Sequence, residues 1–199
     1  MSEFNSRARD WDKNRMHHDR AEAIANAMLS TIPITANMTA LEFGAGTGLL
    51  SFCMKDHFAD ITLMDSSSEM VRVTQEKIEA EGVQHMHAVC LDLELSGYNH
   101  QFDVVYNQMV MHHVADVYAM LAKFYTIINP NGYLAIADLY PEDGSFHGKE
   151  VKVHHGFDPN SLADILDKVG FRNIQQKQCY VVERETGETF PVFLLVAQK

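Results

Sequence analysis

A short apolar run, Ala40-Leu41-Glu42-Phe43, leads directly into Gly44-Ala45-Gly46-Thr47-Gly48, and helical periodicity begins near Thr47. Glycines at such a junction let the backbone turn sharply and let a ligand approach the main chain with no Cβ in the way. The same strand-then-helix alternation runs through the rest of the chain. Residues 61–64 read as a second strand, followed by a helix over 67–81 that Gly82 closes. A third strand is expected over 85–90 and a fourth over 102–106. Val114, Val117, Leu121, Phe124, Tyr125 and Ile128 mark a helix, Asn129-Pro130-Asn131-Gly132 a turn, and residues 133–137 a fifth strand. Upstream, Ala21, Ile24, Ala25, Met28, Leu29 and Ile32 predict a helix over 18–31, stopped by Pro33. Downstream, Asp158-Pro159 supplies an N-cap and first-turn proline for a helix ending at Gly170. Two last strands, 173–183 and 189–197, flank the hairpin signal Glu185-Thr186-Gly187-Glu188. The alternation implies an α/β fold with a doubly wound, mostly parallel seven-stranded sheet and an antiparallel last strand.

Ligands of such sheets bind beyond the carboxyl ends of the strands. Asp65 ends the second strand, 21 residues after Gly44. A carboxylate there can accept hydrogen bonds from both hydroxyls of a ribose. A tight turn or a surface aspartate would explain either feature alone; the two together at strand ends point to a nucleoside-type ligand. The dinucleotide fingerprint GxGxxG does not fit, because the third glycine comes one position early, at Gly48, and Leu49 follows. A nicotinamide-dependent oxidoreductase is therefore the lesser alternative, beside a scaffold that binds its cofactor without turnover.

The run Glu42-Phe43-Gly44-Ala45-Gly46-Thr47-Gly48 resembles the first motif of the class I S-adenosylmethionine-dependent methyltransferases: an acidic residue, a hydrophobe, then GxGxG. The resemblance extends to Asp65-Ser66-Ser67-Ser68-Glu69-Met70, to Cys90-Leu91-Asp92-Leu93, to 102–107, and to Met111-His112-His113-Val114. It is strongest with the small stand-alone enzymes typified by ubiquinone and menaquinone biosynthesis methyltransferases. The resemblance implies a Rossmann-like fold, S-adenosylmethionine as cofactor, and in-line methyl transfer to a small-molecule acceptor. It implies cofactor contacts at Glu42, Gly44, Ala45, Gly46, Thr47 and Gly48, the ribose on Asp65 with Ser66 beside it, and Met70 near the adenine. Asp92 would meet the adenine amino group, Leu93 its ring, and Asn107 the methionine part. Trp11 precedes the first helix, a segment that folds over the site in the family; it would close on the ligand as a lid or pack on the domain.

Composition narrows the partners. Sixteen Lys and Arg against 27 Asp and Glu leave a net charge of −11, which repels phosphate backbones, so no nucleic-acid partner is expected. No apolar stretch approaches the roughly 18 residues of a membrane span, and residues 1–7 lack the apolar core of a secretory signal. Cys53, Cys90 and Cys179 are odd in number and far apart, which fits reduced thiols in the cytoplasm. No linker divides the chain, so one domain over 1–199 is expected, as a monomer or homodimer. Within it, 1–32 reads as a lid segment and helix, and 138–157 as an insert on the substrate side.

A sulfonium methyl is already activated, so the protein must align the reactants and exclude water; a base is needed only if the acceptor loses a proton. The candidates to act as that base or to orient the acceptor are His112, His147 and His154. The insert holds His147, His154 and His155 beside Asp138, Glu142 and Asp143, with Tyr140, Phe146 and Phe157 as apolar cover. Three readings are open: metal ligation, a hydrogen-bonded lid over the acceptor, and no shared role. None of the spacings is a recognised ligand motif, and methyl transfer needs no Lewis acid, so the lid is favoured and no metal is expected.

Overall fold

The computed structural model describes residues 3–148 and 151–199. Seven strands form one sheet: β1 (Thr39–Phe43), β2 (Asp60–Asp65), β3 (Met86–Cys90), β4 (Phe102–Gln108), β5 (Ile128–Leu139), β6 (Arg172–Glu183) and β7 (Thr189–Gln198). Their order is β3-β2-β1-β4-β5-β7-β6. The first five are parallel to one another, while β7 lies antiparallel between β5 and β6. The winding reverses between β1 and β4, and at such a switch point the loops splay apart and leave a crevice at the strands' carboxyl ends.

Five α-helices cover the sheet: α1 (Arg15–Leu29), α2 (Leu49–Met54), α3 (Ser68–Glu81), α4 (Val117–Ile127) and α5 (Pro159–Val169). Strand side chains alternate between two cores. Ala40, Val104 and Tyr106 pack with Ile24, Met28, Leu50 and Met54 of α1 and α2. Leu41, Phe43, Val105 and Ile136 pack with Leu121, Phe124, Leu162 and Leu166 of α4 and α5. Near-continuous apolar runs in β1, β4 and β5 follow from burial on both faces. Among the described residues no helix is long and apolar enough to cross a membrane.

Among the boundaries that differ from the sequence expectation, three have a plain local reason. The first helix begins three residues earlier than expected, at Arg15, because the Asn14 side chain caps it by accepting the Met16 N–H at 3.1 Å. The fourth helix starts at Val117 rather than Val114, since Asp116 accepts the Ala119 N–H and Met111–His113 form a separate 3-10 turn. The Asn129–Gly132 turn is absorbed into β5, whose pairing with β4 slips between Phe102 and Val104. Asn131 takes up the slip at φ 66°, and a Cβ on Gly132 would stand 2.7 Å from the Asp103 carbonyl oxygen.

Candidate functional site

Two cavities meet at the carboxyl ends of β1, β2, β4 and β5. The narrower, about 180 Å³, is lined by Gly44, Ala45 and Gly46, by Asp65, Ser66 and Met70, and by Asp92 and Leu93. The wider, about 630 Å³, is lined by His112, His113 and His147 with Met16, His17 and Phe146. Phe4, Trp11, Arg20, Met109 and His113 line both and mark where one opens into the other.

The glycine loop owes its shape to left-handed backbone at Gly44, Gly46 and Gly48. Their surroundings separate their roles. A Cβ on Gly44 would collide with Val110, and one on Gly48 would come within 2.7 Å of Leu63 Cδ2, whereas at Gly46 no atom lies within 4 Å. Gly44 and Gly48 thus serve close packing, and Gly46 faces open space. Asp65 fastens the loop to β2: its Oδ2 accepts the Gly46 N–H at 2.8 Å and its Oδ1 the Ser67 N–H at 2.7 Å. Burial raises the Asp65 carboxyl above the ordinary range, and the bonds from Ser67, Gly46 and Ser66 pull against that rise. Met70 and Leu93 are buried and give the same cavity apolar lining.

Glu42, Thr47, Gly48 and Asn107 do not line either cavity. Alternation along β1 turns Glu42 toward α2, where its Oε2 accepts the Ser51 N–H at 3.1 Å and the Ser51 hydroxyl at 2.5 Å. That hydroxyl lies 2.7 Å from the Tyr106 phenol, and Glu42 Oε1 has no partner among the described residues. Full burial pushes the Glu42 carboxyl up to about 8. A carboxyl raised in the folded state, against 4.5 normally, holds a proton that the unfolded chain has lost. Stability therefore falls as pH rises through the interval between those two values. Glu42→Gln is expected to remove this slope, so the variant's melting temperature equals wild type near pH 5 and exceeds it near about pH 9. Thermal unfolding across that range checks it; parallel curves would contradict the buried, protonated Glu42.

Thr47 instead holds the N-terminal segment. Its hydroxyl donates to Asp12 Oδ1 at 2.5 Å, while Lys77 bridges Asp12 Oδ2 at 2.7 Å and the Thr47 carbonyl at 2.8 Å. Ser67 donates to Asn5 Oδ1 at 2.6 Å. Two 3-10 turns, Glu3–Ser6 and Ala8–Lys13, are thereby tied across the mouth, with Trp11 stacked 4.4 Å from His17. Asn107 points into the α4 side with both amide atoms lacking a partner among the described residues.

In the wider cavity, His112 is 1% exposed and its Nδ1 lies 2.6 Å from Asp138 Oδ1. Asp138, fully buried on β5, also accepts the Leu139 N–H at 2.7 Å and the His112 N–H at 3.2 Å. His112 Nε2 faces His147 Nε2 at 2.8 Å. His113 stands beside both rings, and burial with these two neighbours pulls it down to about 4, so it is neutral near pH 7. The insert departs from the expected pattern. His147 meets His112, and Glu142 Oε2 is occupied by the Gly144 and Phe146 N–H groups. His154 turns away from the cavity, its Nε2 3.0 Å from the Val114 carbonyl, and His155 packs on Gly144. Arg184 pins the insert by donating to the Ser145 and Phe146 carbonyls and lying over the Phe146 ring.

Sequence reasoning missed Arg20. It sits 6% exposed on α1, its Nε without a partner among the described residues, and burial draws its guanidinium down to about 10. Its Nη1 donates to Met16 Sδ at 3.8 Å, and among the described residues no carboxylate pairs with it, so this buried cation lining both cavities is a fit for an anionic group. A helix residue with no motif around it leaves no signal in the sequence. Asp138, the first residue of the expected substrate-side insert, lies within β5 and is fully buried.

A glycine loop opening into a cavity, a carboxylate at the next strand end and apolar walls between them define a doubly wound protein that binds a nucleoside-bearing cofactor. Residues 16–176 match the family model described as a methyltransferase domain, and the chain belongs to the S-adenosylmethionine-dependent methyltransferases. It is 29% identical over 157 residues to an uncharacterized methyltransferase of Schizosaccharomyces pombe, covering 70% of this chain and 55% of that protein. It is 32% identical over 99 residues to the ubiquinone biosynthesis O-methyltransferase of Azorhizobium caulinodans, covering 50% of this chain and 39% of the other. The chain thus spans about half the length of these curated relatives. Among solved structures, the complex of the Haloferax volcanii Trm112 methyltransferase activator with a putative methyltransferase shares the fold. The TM-score is 0.79 at 18% identity, over 100% of this chain and 98% of that one.

Proposed function

We propose that the chain transfers the methyl group of S-adenosylmethionine to a small-molecule acceptor by in-line displacement. The observation that carries the reading is the junction of the two cavities at Phe4, Trp11, Arg20, Met109 and His113. A cofactor lying on Asp65 in the narrow cavity would present its far end at that junction, facing an acceptor in the wide one. When bound, the cofactor supplies an electrophilic methyl on a sulfonium.

The chain's own residues do the rest. Asp65 accepts from the ribose hydroxyls while its backbone partners hold the loop. Met70 and Leu93 take the adenine between them, and Asp92 lies at its edge. Arg20 pairs with the carboxylate of the methionine part, an ion pair that burial strengthens. Within one domain over 1–199, the lid segment 1–32 closes the mouth through its described residues 3–32, with Trp11 as the aromatic face. The acceptor-side insert 138–157 is formed by 138–148 and 151–157; residues 1, 2, 149 and 150 lie outside the described residues. His112 and His147 orient the acceptor's attacking atom, with Asp138 holding the His112 ring in place. The size of the wide cavity, about 630 Å³, and the likeness to a ubiquinone biosynthesis O-methyltransferase support a small acceptor; the same reading puts the reaction in the cytoplasm, in a monomer or homodimer.

The test is incubation with S-adenosylmethionine and a panel of O-, N- and S-nucleophiles, reading S-adenosylhomocysteine release. His147→Ala is expected to lower kcat/KM for the acceptor by about 10- to 100-fold while cofactor affinity stays within twofold of wild type. Equal loss of cofactor affinity would place His147 in the wrong cavity. His154→Ala, which only supports the Val114 carbonyl, is expected to have a smaller effect.

A further inference from the structure

Three imidazoles from two distant parts of the chain converge on one point of the wide cavity. His112 and His113 come from the 3-10 turn after β4, and His147 from the insert after β5. One ligand atom from each lies within 4.8 Å of the others. The closest pair, His112 Nε2 and His147 Nε2, stand 2.8 Å apart. Ligands about 2.0–2.1 Å from one tetrahedral zinc ion stand about 3.3 Å from each other, so sub-ångström ring shifts suffice for this pair and a larger one for His113.

The tautomers support the same arrangement. Asp138 is fully buried, accepts two backbone N–H groups and stands 2.6 Å from His112 Nδ1, where it accepts the ring N–H. The lone pair of His112 Nε2 is thereby directed into the cavity. This carboxylate–histidine pairing is the outer-shell device that orients ligating imidazoles in metal sites. His147 is held from the other side by Phe146, which Arg184 and Phe190 clamp in edge and face contacts.

We infer that His112, His113 and His147 bind a divalent transition metal of the zinc type, with a coordination position left open to the acceptor. Three imidazoles and an open position make a catalytic rather than a structural metal centre. The inference rests on the assignment of the wide cavity to the acceptor and gives the acceptor-orienting histidines their means. An acceptor hydroxyl or thiol on the open position loses its proton to solvent water at lower pH than when free. Its lone pair then forms the bond to the methyl carbon as the carbon–sulfur bond breaks and its electrons return to sulfur. The metal undergoes no redox change and is not consumed.

The experiment is calorimetric titration of the chelator-treated full chain with zinc chloride alone, with S-adenosylhomocysteine titrated into the same sample. One zinc per chain is expected, weakened about 100-fold in His113→Ala and in His147→Ala, and about 10- to 100-fold in Asp138→Asn. His87→Ala, an exposed histidine paired with Asp60 on the sheet edge, is expected to leave zinc affinity unchanged. No stoichiometric zinc binding, or binding that survives both His113→Ala and His147→Ala, would overturn the site. S-adenosylhomocysteine binding in the same sample reports separately on the cofactor reading, so failure of either is seen without the other.

Discussion

Asp65→Ala is expected to weaken S-adenosylhomocysteine binding by about 100-fold or more, because each hydrogen bond to a charged group contributes roughly 1.5–3 kcal/mol and two ribose hydroxyls lose theirs. The same carboxylate holds the Gly46 and Ser67 amides, so the loop loses its fastening as well as its ribose acceptor. Gly46 lines the cavity and Ser67 caps α3, both outside the two apolar cores, and the cost to global stability should be about 1–2 kcal/mol. The variant should therefore fold, with a melting temperature a few degrees lower, and bind poorly. Calorimetry showing affinity unchanged would remove the ribose from Asp65 altogether.

Gly46→Val carries the second large effect. At φ 55° a residue with a Cβ is strained by roughly 1–2 kcal/mol, yet no protein atom lies within 4 Å of the added carbon. The chain should fold while the two new methyl groups occupy the cofactor's space. Forcing ligand and loop apart should weaken cofactor binding by about 10- to 100-fold, on the scale of an overpacked contact of 1–3 kcal/mol. Gly44→Ala and Gly48→Ala provide the contrast, since their Cβ atoms meet Val110 and Leu63 and should reduce stability first. If Gly46→Val binds and turns over normally, the open space beside the loop is not the cofactor's.

The order of these elements was legible because burial on both faces writes β1, β4 and β5 as apolar runs, and α1 and α5 carry clear helical stripes. The cofactor side was legible too, since glycines and an acidic strand end are local features at fixed spacing. Glu42 shows the limit of that reading. It belongs to the motif, but the alternation of β1 aims it at Ser51 under the loop. The acceptor side depends on contacts between residues far apart in sequence. His112 to Asp138 and His112 to His147 span 26 and 35 residues, and no local pattern encodes either pairing. His154 looked equivalent to His147 by composition, and only the path of the insert turns one toward the cavity and the other toward Val114. Arg20 lies in an ordinary amphipathic helix whose partner is the space between two cavities.

A crystal structure of the chain grown with S-adenosylhomocysteine tests the central claim most directly. The account predicts the ribose on Asp65, the adenine between Met70 and Leu93, the amino-acid carboxylate at Arg20, and the sulfur at the junction beside Met109 and His113. Well-ordered S-adenosylhomocysteine bound elsewhere, or the glycine-loop cavity empty at saturating ligand, would contradict it.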